Sequence, residues 1–200
     1  MTSEAADRVI ELYERHAGAW SRDRDDRLLE RGWLDRFLGL LPRDAAVLDL
    51  GCGPGVLARY LIEKGCRVTG VDSSTAMITM CRNRFPEQQW HVADMRTLEL
   101  KQTFDGILAW DSLFHLTPSD QRGMFPVFKR HAASAAALMF TSGPSHGERI
   151  GTYRGEPLYH ASLHSDEYRA LLELQGFRVT AHVIEDPTCG LHTIWLSRLE

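Results

Sequence analysis

Apolar positions in this chain fall into short continuous runs that alternate with stretches of helical spacing. Val47 to Leu50, Arg67 to Val71, Trp90 to Val92, Phe104 to Trp110 and Ala136 to Phe140 are runs of strand length. Between them Val56 to Lys64, Ser74 to Phe85 and Pro118 to His131 repeat their apolar residues at helical intervals, and residues 4 to 20 and 25 to 41 read as two helices ahead of the first strand. Alternation of this kind predicts an α/β fold, a parallel sheet with helices on both faces and right-handed crossovers. The segment 141 to 165 shows neither period and is rich in Gly, Pro, His and Tyr, so it reads as a lid or substrate loop. A helix from Asp166 to Gln175 follows, with Ser165 as its expected N-cap and Gly176 beyond its end. Two closing strands, Phe177 to Ile184 and His192 to Leu199, flank a turn at Pro187 and Gly190.

Length and composition narrow the picture. Two hundred residues, 44% of them apolar, suffice for one core, and a single domain over residues 1–200 is the default. A formal net charge of -4 argues against a dedicated nucleic-acid binder, which needs a basic face. The dense charge run from Ser21 to Arg31 alternates sign and reads as a solvated helix face. No stretch approaches the ~20 continuous apolar residues of a membrane span, and the acidic start lacks the features of a secretory signal. The expectation is a cytoplasmic protein, monomeric or homodimeric. Cys52, Cys66, Cys81 and Cys189 are neither clustered nor paired at metal-binding spacing, so no metal site is expected.

The densest signal is the stretch VLDLGCGPGVLARYL, Val47 to Leu61, in which Asp49 precedes Gly51, Gly53 and Gly55. In an open parallel sheet, ligands bind beyond the carboxyl ends of the strands, and a glycine turn there lets a ligand approach the backbone closely. The spacing is G-x-G-x-G with Pro54 inside it. A dinucleotide fingerprint would need a third glycine at Val56, and the Gly-Lys-Ser/Thr of a phosphate loop is missing, so pyrophosphate ligands are disfavoured.

LDLGCGPG resembles the first motif of the class I, Rossmann-like S-adenosylmethionine-dependent methyltransferases, and the likeness continues along nearly the whole chain. GVDSSTAMI, HVADMRTL and FDGILAWDSLFHL are similar to the next three motifs, in order and at matching spacing. The resemblance implies a doubly wound, mostly parallel seven-stranded sheet of order 3-2-1-4-5-7-6, the last strand antiparallel, and S-adenosyl-L-methionine as cofactor. It implies that Asp49, Gly51, Cys52, Gly53 and Gly55 surround the methionine part of that cofactor. Asp72, with Ser73, would bind the ribose hydroxyls, Asp94 the adenine amino group and Met95 the ring through its amide, and Trp110 with Asp111 would border the transferred methyl. A carboxylate on a vicinal diol makes charge-assisted hydrogen bonds, so Asp72 suits recognition. For Asp72 the alternative is a helix cap, for Asp94 a turn acid, and for Met77 a core position instead of an adenine wall.

The expected chemistry is in-line transfer of a methyl group to an O, N or S nucleophile of a small-molecule acceptor, with residues 1–41 as a helical cap and 141–165 closing over it. Positioning alone can supply ~7 to 11 kcal/mol of such a barrier. Tyr13, Trp20, Trp110 and Phe114 are candidates for an aromatic wall. If the acceptor has a proton to lose, His115 and His160 are the leading candidates for a base, with Asp111 orienting or replacing it. Arg149 and Arg154 hint at a carboxylate on the acceptor. AWDS stands where methyltransferases of nucleic-acid bases carry Asn/Asp-Pro-Pro-Tyr, which counts against such substrates. Two rival readings stay open, a nucleotide-dependent oxidoreductase and an S-adenosylmethionine-binding protein without catalysis.

Overall fold

The structure, a computed structural model, describes residues 2–24 and 28–200. Helix α1 (Thr2–Asp23) and helix α2 (Arg31–Leu38) precede strand β1 (Ala46–Leu50). Then α3 (Val56–Glu63), β2 (Arg67–Asp72), α4 (Thr75–Arg84), β3 (Gln89–Val92), β4 (Phe104–Ala109), α5 (Pro118–His131) and β5 (Ala132–Ser142) alternate as expected. The chain continues through β6 (Gly147–Tyr153), β7 (Glu156–Ser162), α6 (Ser165–Leu174), β8 (Phe177–Asp186) and β9 (His192–Leu199). Seven strands form one sheet in the order β3-β2-β1-β4-β5-β9-β8, with β9 antiparallel to both neighbours. Counting the closing strands as sixth and seventh, this is the order implied by the resemblance.

Alternate residues of the buried strands feed two cores. Val47, Leu108 and Met139 pack against Trp33 and Phe37 of α2 and Leu61 of α3. Leu48, Ile107 and Phe140 pack against Phe125 and Phe128 of α5 and Tyr168 of α6. A third, smaller cluster joins Val9 and Leu12 of α1 to Leu158 and Ala161 of β7. The two N-terminal helices therefore part company: α2 covers a sheet face, while α1 alone lies on the hairpin and over the carboxyl ends of the strands. Within the expected second helix at 25 to 41, residues 25–27 lie outside the described ones.

The segment from 141 to 165 is not an irregular loop. Strand β5 runs on to Ser142, and β6 and β7 form an antiparallel hairpin whose strands pair with each other apart from the main sheet. Its turn is Arg154-Gly155, with φ of 50° and 84°. Two successive positive values suit the right-handed twist of the flanking strands, and glycine at the second position makes that turn accessible. One boundary also moves: the N-cap of α6 is His164, whose ring Nδ1 accepts from the amide of Asp166 at 3.3 Å, and Ser165 is the first helical residue. Among the described residues no helix is long and apolar enough to cross a membrane.

Candidate active site

The turn after β1 needs its glycines for two different reasons. Gly51 and Gly53 have φ of 73° and 52°, values that a side chain disfavours. A Cβ on Gly51 would stand 2.4 Å from Cβ of Ser112, whose hydroxyl is fixed by donating to the Leu50 carbonyl at 2.8 Å. A Cβ on Gly53 would meet nothing nearer than Nε1 of Trp20, at 3.9 Å. Gly55, with φ of 81°, is the N-cap of α3 and packs against Cys81 and Phe85. The turn thus floors a cavity, open to solvent, at the carboxyl ends of β1, β2 and β4.

Of the expected cofactor residues, Asp49, Gly51, Cys52, Gly53, Asp72, Ser73, Met77, Asp94, Met95, Trp110 and Tyr13 all line this cavity; Gly55 does not, serving the helix start behind it. Asp72 is held by two amides, Gly53 N to Oδ2 at 2.9 Å and Ser74 N to Oδ1 at 2.8 Å. Each oxygen keeps a second lone pair for a ligand. Burial pushes its carboxyl up, and the two amide bonds only partly offset this. Asp49 is buried with Oδ2 unpartnered, and burial together with the neighbouring Asp72 pushes it up to about 7. Asp94 is more committed than expected. Burial raises its carboxyl, but Arg96 outweighs this and lowers it on balance, through its backbone amide at 2.9 Å and its guanidinium at 2.7 Å. Arg96 is held on its other side by Asp120 at 3.2 Å.

On the acceptor side the candidate bases are all engaged. The carbonyl of Tyr159 can only accept, so Nδ1–H of His115 donates to it at 2.8 Å and Nε2 accepts from the hydroxyl of Tyr13 at 3.0 Å. Burial pushes His115 down to about 4, which keeps the ring neutral. His160 does not line the cavity. Its ring sits beside those of His115 and Phe114, with centroids at 4.9 and 5.4 Å, and its Nδ1 donates to the Leu158 carbonyl. Asp111 lines the cavity in a left-handed conformation, φ 49°, its amide donating to Oγ1 of Thr141. Its carboxylate meets Nε2 of His192 at 2.9 Å and Arg24 at 3.3 Å. Burial alone would raise Asp111, yet these partners hold it below its ordinary value.

The Arg24–Asp111–His192 cluster is the part of the site that sequence reasoning missed. Arg24 lies in the charge run read as a solvated face, yet it bridges Asp111 and the buried Glu30. His192 donates from both nitrogens, to Asp111 and to the Cys189 carbonyl, so it is a cation; burial opposes that charge, but these bonds push it up to about 11 from an ordinary value of 6.5. The sign of the linkage follows. A group raised on folding contributes all of its stability below its unfolded value and loses it as pH climbs to the folded one. Unfolding free energy should therefore fall between pH 6.5 and about 11, by at most ~1.4 kcal/mol per pH unit. Denaturant titrations of His192→Gln should lack this slope; an unchanged slope would refute the ion pair.

Among the described residues no group of three or more His, Cys, Asp or Glu is placed to hold a metal. Residues 47–134 match the family defined as a methyltransferase domain. The malonyl-[acyl-carrier protein] O-methyltransferase of Salmonella typhimurium is 31% identical over 138 residues, 68% of this chain and 50% of that protein. The trans-aconitate 2-methyltransferase of Azoarcus sp. is 35% identical over 106 residues, 51% of this chain and 41% of that protein. The chain thus spans about half, or less, of the curated relatives it matches. A crystal structure of the Burkholderia thailandensis 1,6-didemethyltoxoflavin-N1-methyltransferase, with 1,6-didemethyltoxoflavin and S-adenosylhomocysteine bound, superposes with a TM-score of 0.77 at 20% identity, covering 100% of this chain and 90% of that one. At that identity the likeness speaks to the fold, and it is the fold whose strand order is found here. Sequence motifs, domain match and sheet topology agree, and residues 47–134 carry the methyltransferase domain of the class I, Rossmann-like S-adenosylmethionine-dependent enzymes.

Proposed function

We propose that this protein transfers the methyl group of S-adenosyl-L-methionine to an O, N or S nucleophile of a small molecule by in-line displacement. The observation that carries the reading is the union of a side-chain-free turn with Asp72, whose carboxylate is pinned by Gly53 and Ser74 and still has lone pairs to offer. The residues present fit the cofactor: Asp72 suits the ribose diol, the unpartnered Oδ2 of Asp49 suits an ammonium, and Met77 and Met95 suit the faces of a purine. Bound there, the cofactor supplies an electrophilic methyl group on a sulfonium whose departure leaves a neutral thioether. The chain's own part is to orient, to exclude water and to keep the surroundings apolar as charge is lost. Tyr13 and Trp20, packed edge to face at 5.2 Å on α1, do this from above. Asp94 reaches an adenine amino group only by sharing an oxygen now given to Arg96.

The acceptor best suited to the site arrives already ionised. His115 is capped at both nitrogens, Asp111 is neutralised by two cations and His160 does not line the cavity, so none of these three candidate bases stands ready to take a proton. A carboxylate, fully ionised across the neutral range, needs none. The names of the relatives, a malonyl-[acyl-carrier protein] O-methyltransferase and a trans-aconitate 2-methyltransferase, support this direction. Titration calorimetry should show one S-adenosylhomocysteine bound per chain and no heat with NAD; no heat with either the methyl donor or its product would overturn the proposal. With a radiolabelled donor and a panel of acids, thiols, phenols and amines, the best acceptor should give kcat/KM that is level from pH 6.5 to 8.5. A tenfold rise per pH unit across that range would mark an acceptor that must first lose a proton and would overturn the ionised-acceptor reading.

A further inference from the structure

Among the described residues, two that line the cavity carry a buried side-chain atom with no hydrogen-bond partner: Asp49 at Oδ2 and Trp110 at Nε1. They are 2% and 3% exposed. Asp49 on β1 is paired in register with Leu108 on β4, and Trp110 follows Leu108 by two residues, so both side chains belong to the same sheet face on neighbouring strands. Leaving such groups unpaired costs free energy that a ligand in the cavity would return. One atom accepts and the other can only donate.

An α-amino acid carries an ammonium and a carboxylate on one carbon and therefore asks for an acceptor and a donor side by side. The cationic side chains of the cavity are not available for the carboxylate. Arg24 is shared between Asp111 and Glu30, and Arg96 between Asp94 and Asp120. We propose that the indole N–H of Trp110 binds the carboxylate of the cofactor's amino-acid tail while Asp49 takes its ammonium, making Trp110 a specificity-determining residue for the cofactor. This rests on the methyltransferase reading above. An indole donor adds no charge, so the tail is recognised without a second cation close to the sulfonium.

The test compares S-adenosylhomocysteine with its decarboxylated analogue, S-adenosyl-3-thiopropylamine, by titration calorimetry. The wild-type protein should bind the former about tenfold or more tightly, as expected for a hydrogen bond to a charged group. In Trp110→Phe, which keeps a ring and deletes the donor, that preference should collapse to about twofold, through weaker binding of S-adenosylhomocysteine alone. Nitrogen-15 labelling of the five tryptophans gives a readout on the unaltered protein. One indole N–H resonance should move on adding S-adenosylhomocysteine and stay in place with the decarboxylated analogue. Equal loss of affinity for both ligands in Trp110→Phe, or equal movement of that resonance with both, would overturn the proposal and leave Trp110 as packing. Failure of the wild-type protein to bind either ligand would instead overturn the parent reading, and this proposal with it.

Discussion

Replacing Asp72 with alanine is expected to weaken S-adenosylhomocysteine binding by about a hundredfold or more. Two hydrogen bonds from a carboxylate to a vicinal diol, each worth about 1.5 kcal/mol or more, account for that factor. The loss extends beyond the diol, because Asp72 also holds the amides of Gly53 and Ser74 and so fixes the glycine turn relative to the start of α4. Asparagine should fare little better. Its amide group turns a donor toward one of two backbone N–H groups that both require acceptors. Calorimetry on the two variants decides the matter, and an Asp72→Asn protein that binds within threefold of wild type would remove Asp72 from the ribose.

The second large effect concerns stability. Gly51→Ala should lower the unfolding free energy by about 2 to 4 kcal/mol, combining the cost of a left-handed alanine with displacement of the buried Ser112. Gly53→Ala has the same backbone cost, yet its new methyl would meet only the Trp20 indole at 3.9 Å, so about 1 to 2 kcal/mol is expected. Urea titration of both proteins separates the two contributions. Equal losses would show that the Ser112 contact yields without cost and that dihedral preference alone selects glycine at position 51.

What was legible in the sequence was local. The period of apolar residues reported β1 to β4 and the helices between them, since a strand buried on both faces and a helix buried on one leave different marks. The turn was legible because positive φ beside a crowded Ser112 leaves glycine little competition. The hairpin was hidden by composition: Gly, Pro, His and Tyr imitate an irregular loop, and Arg154 is an unusual first residue for its turn. Of the Arg24–Asp111–His192 cluster only Asp111 was singled out in the sequence; its two partners could not be read, because the three residues follow α1, follow β4 and open β9, and meet only once the sheet is assembled. His160 pairs with Arg149 across the hairpin and its ring lies beside that of His115, while the Tyr159 carbonyl, one residue earlier, sets the tautomer of the His115 ring.

The hairpin carries a consequence for how such a scaffold diverges. Its rungs close on themselves, so lengthening, trimming or exchanging this ribbon disturbs none of the six ladders of the main sheet. Under the proposed function, substitutions in that appendage would alter the acceptor's surroundings while Asp72 and the glycine turn stay within the main sheet.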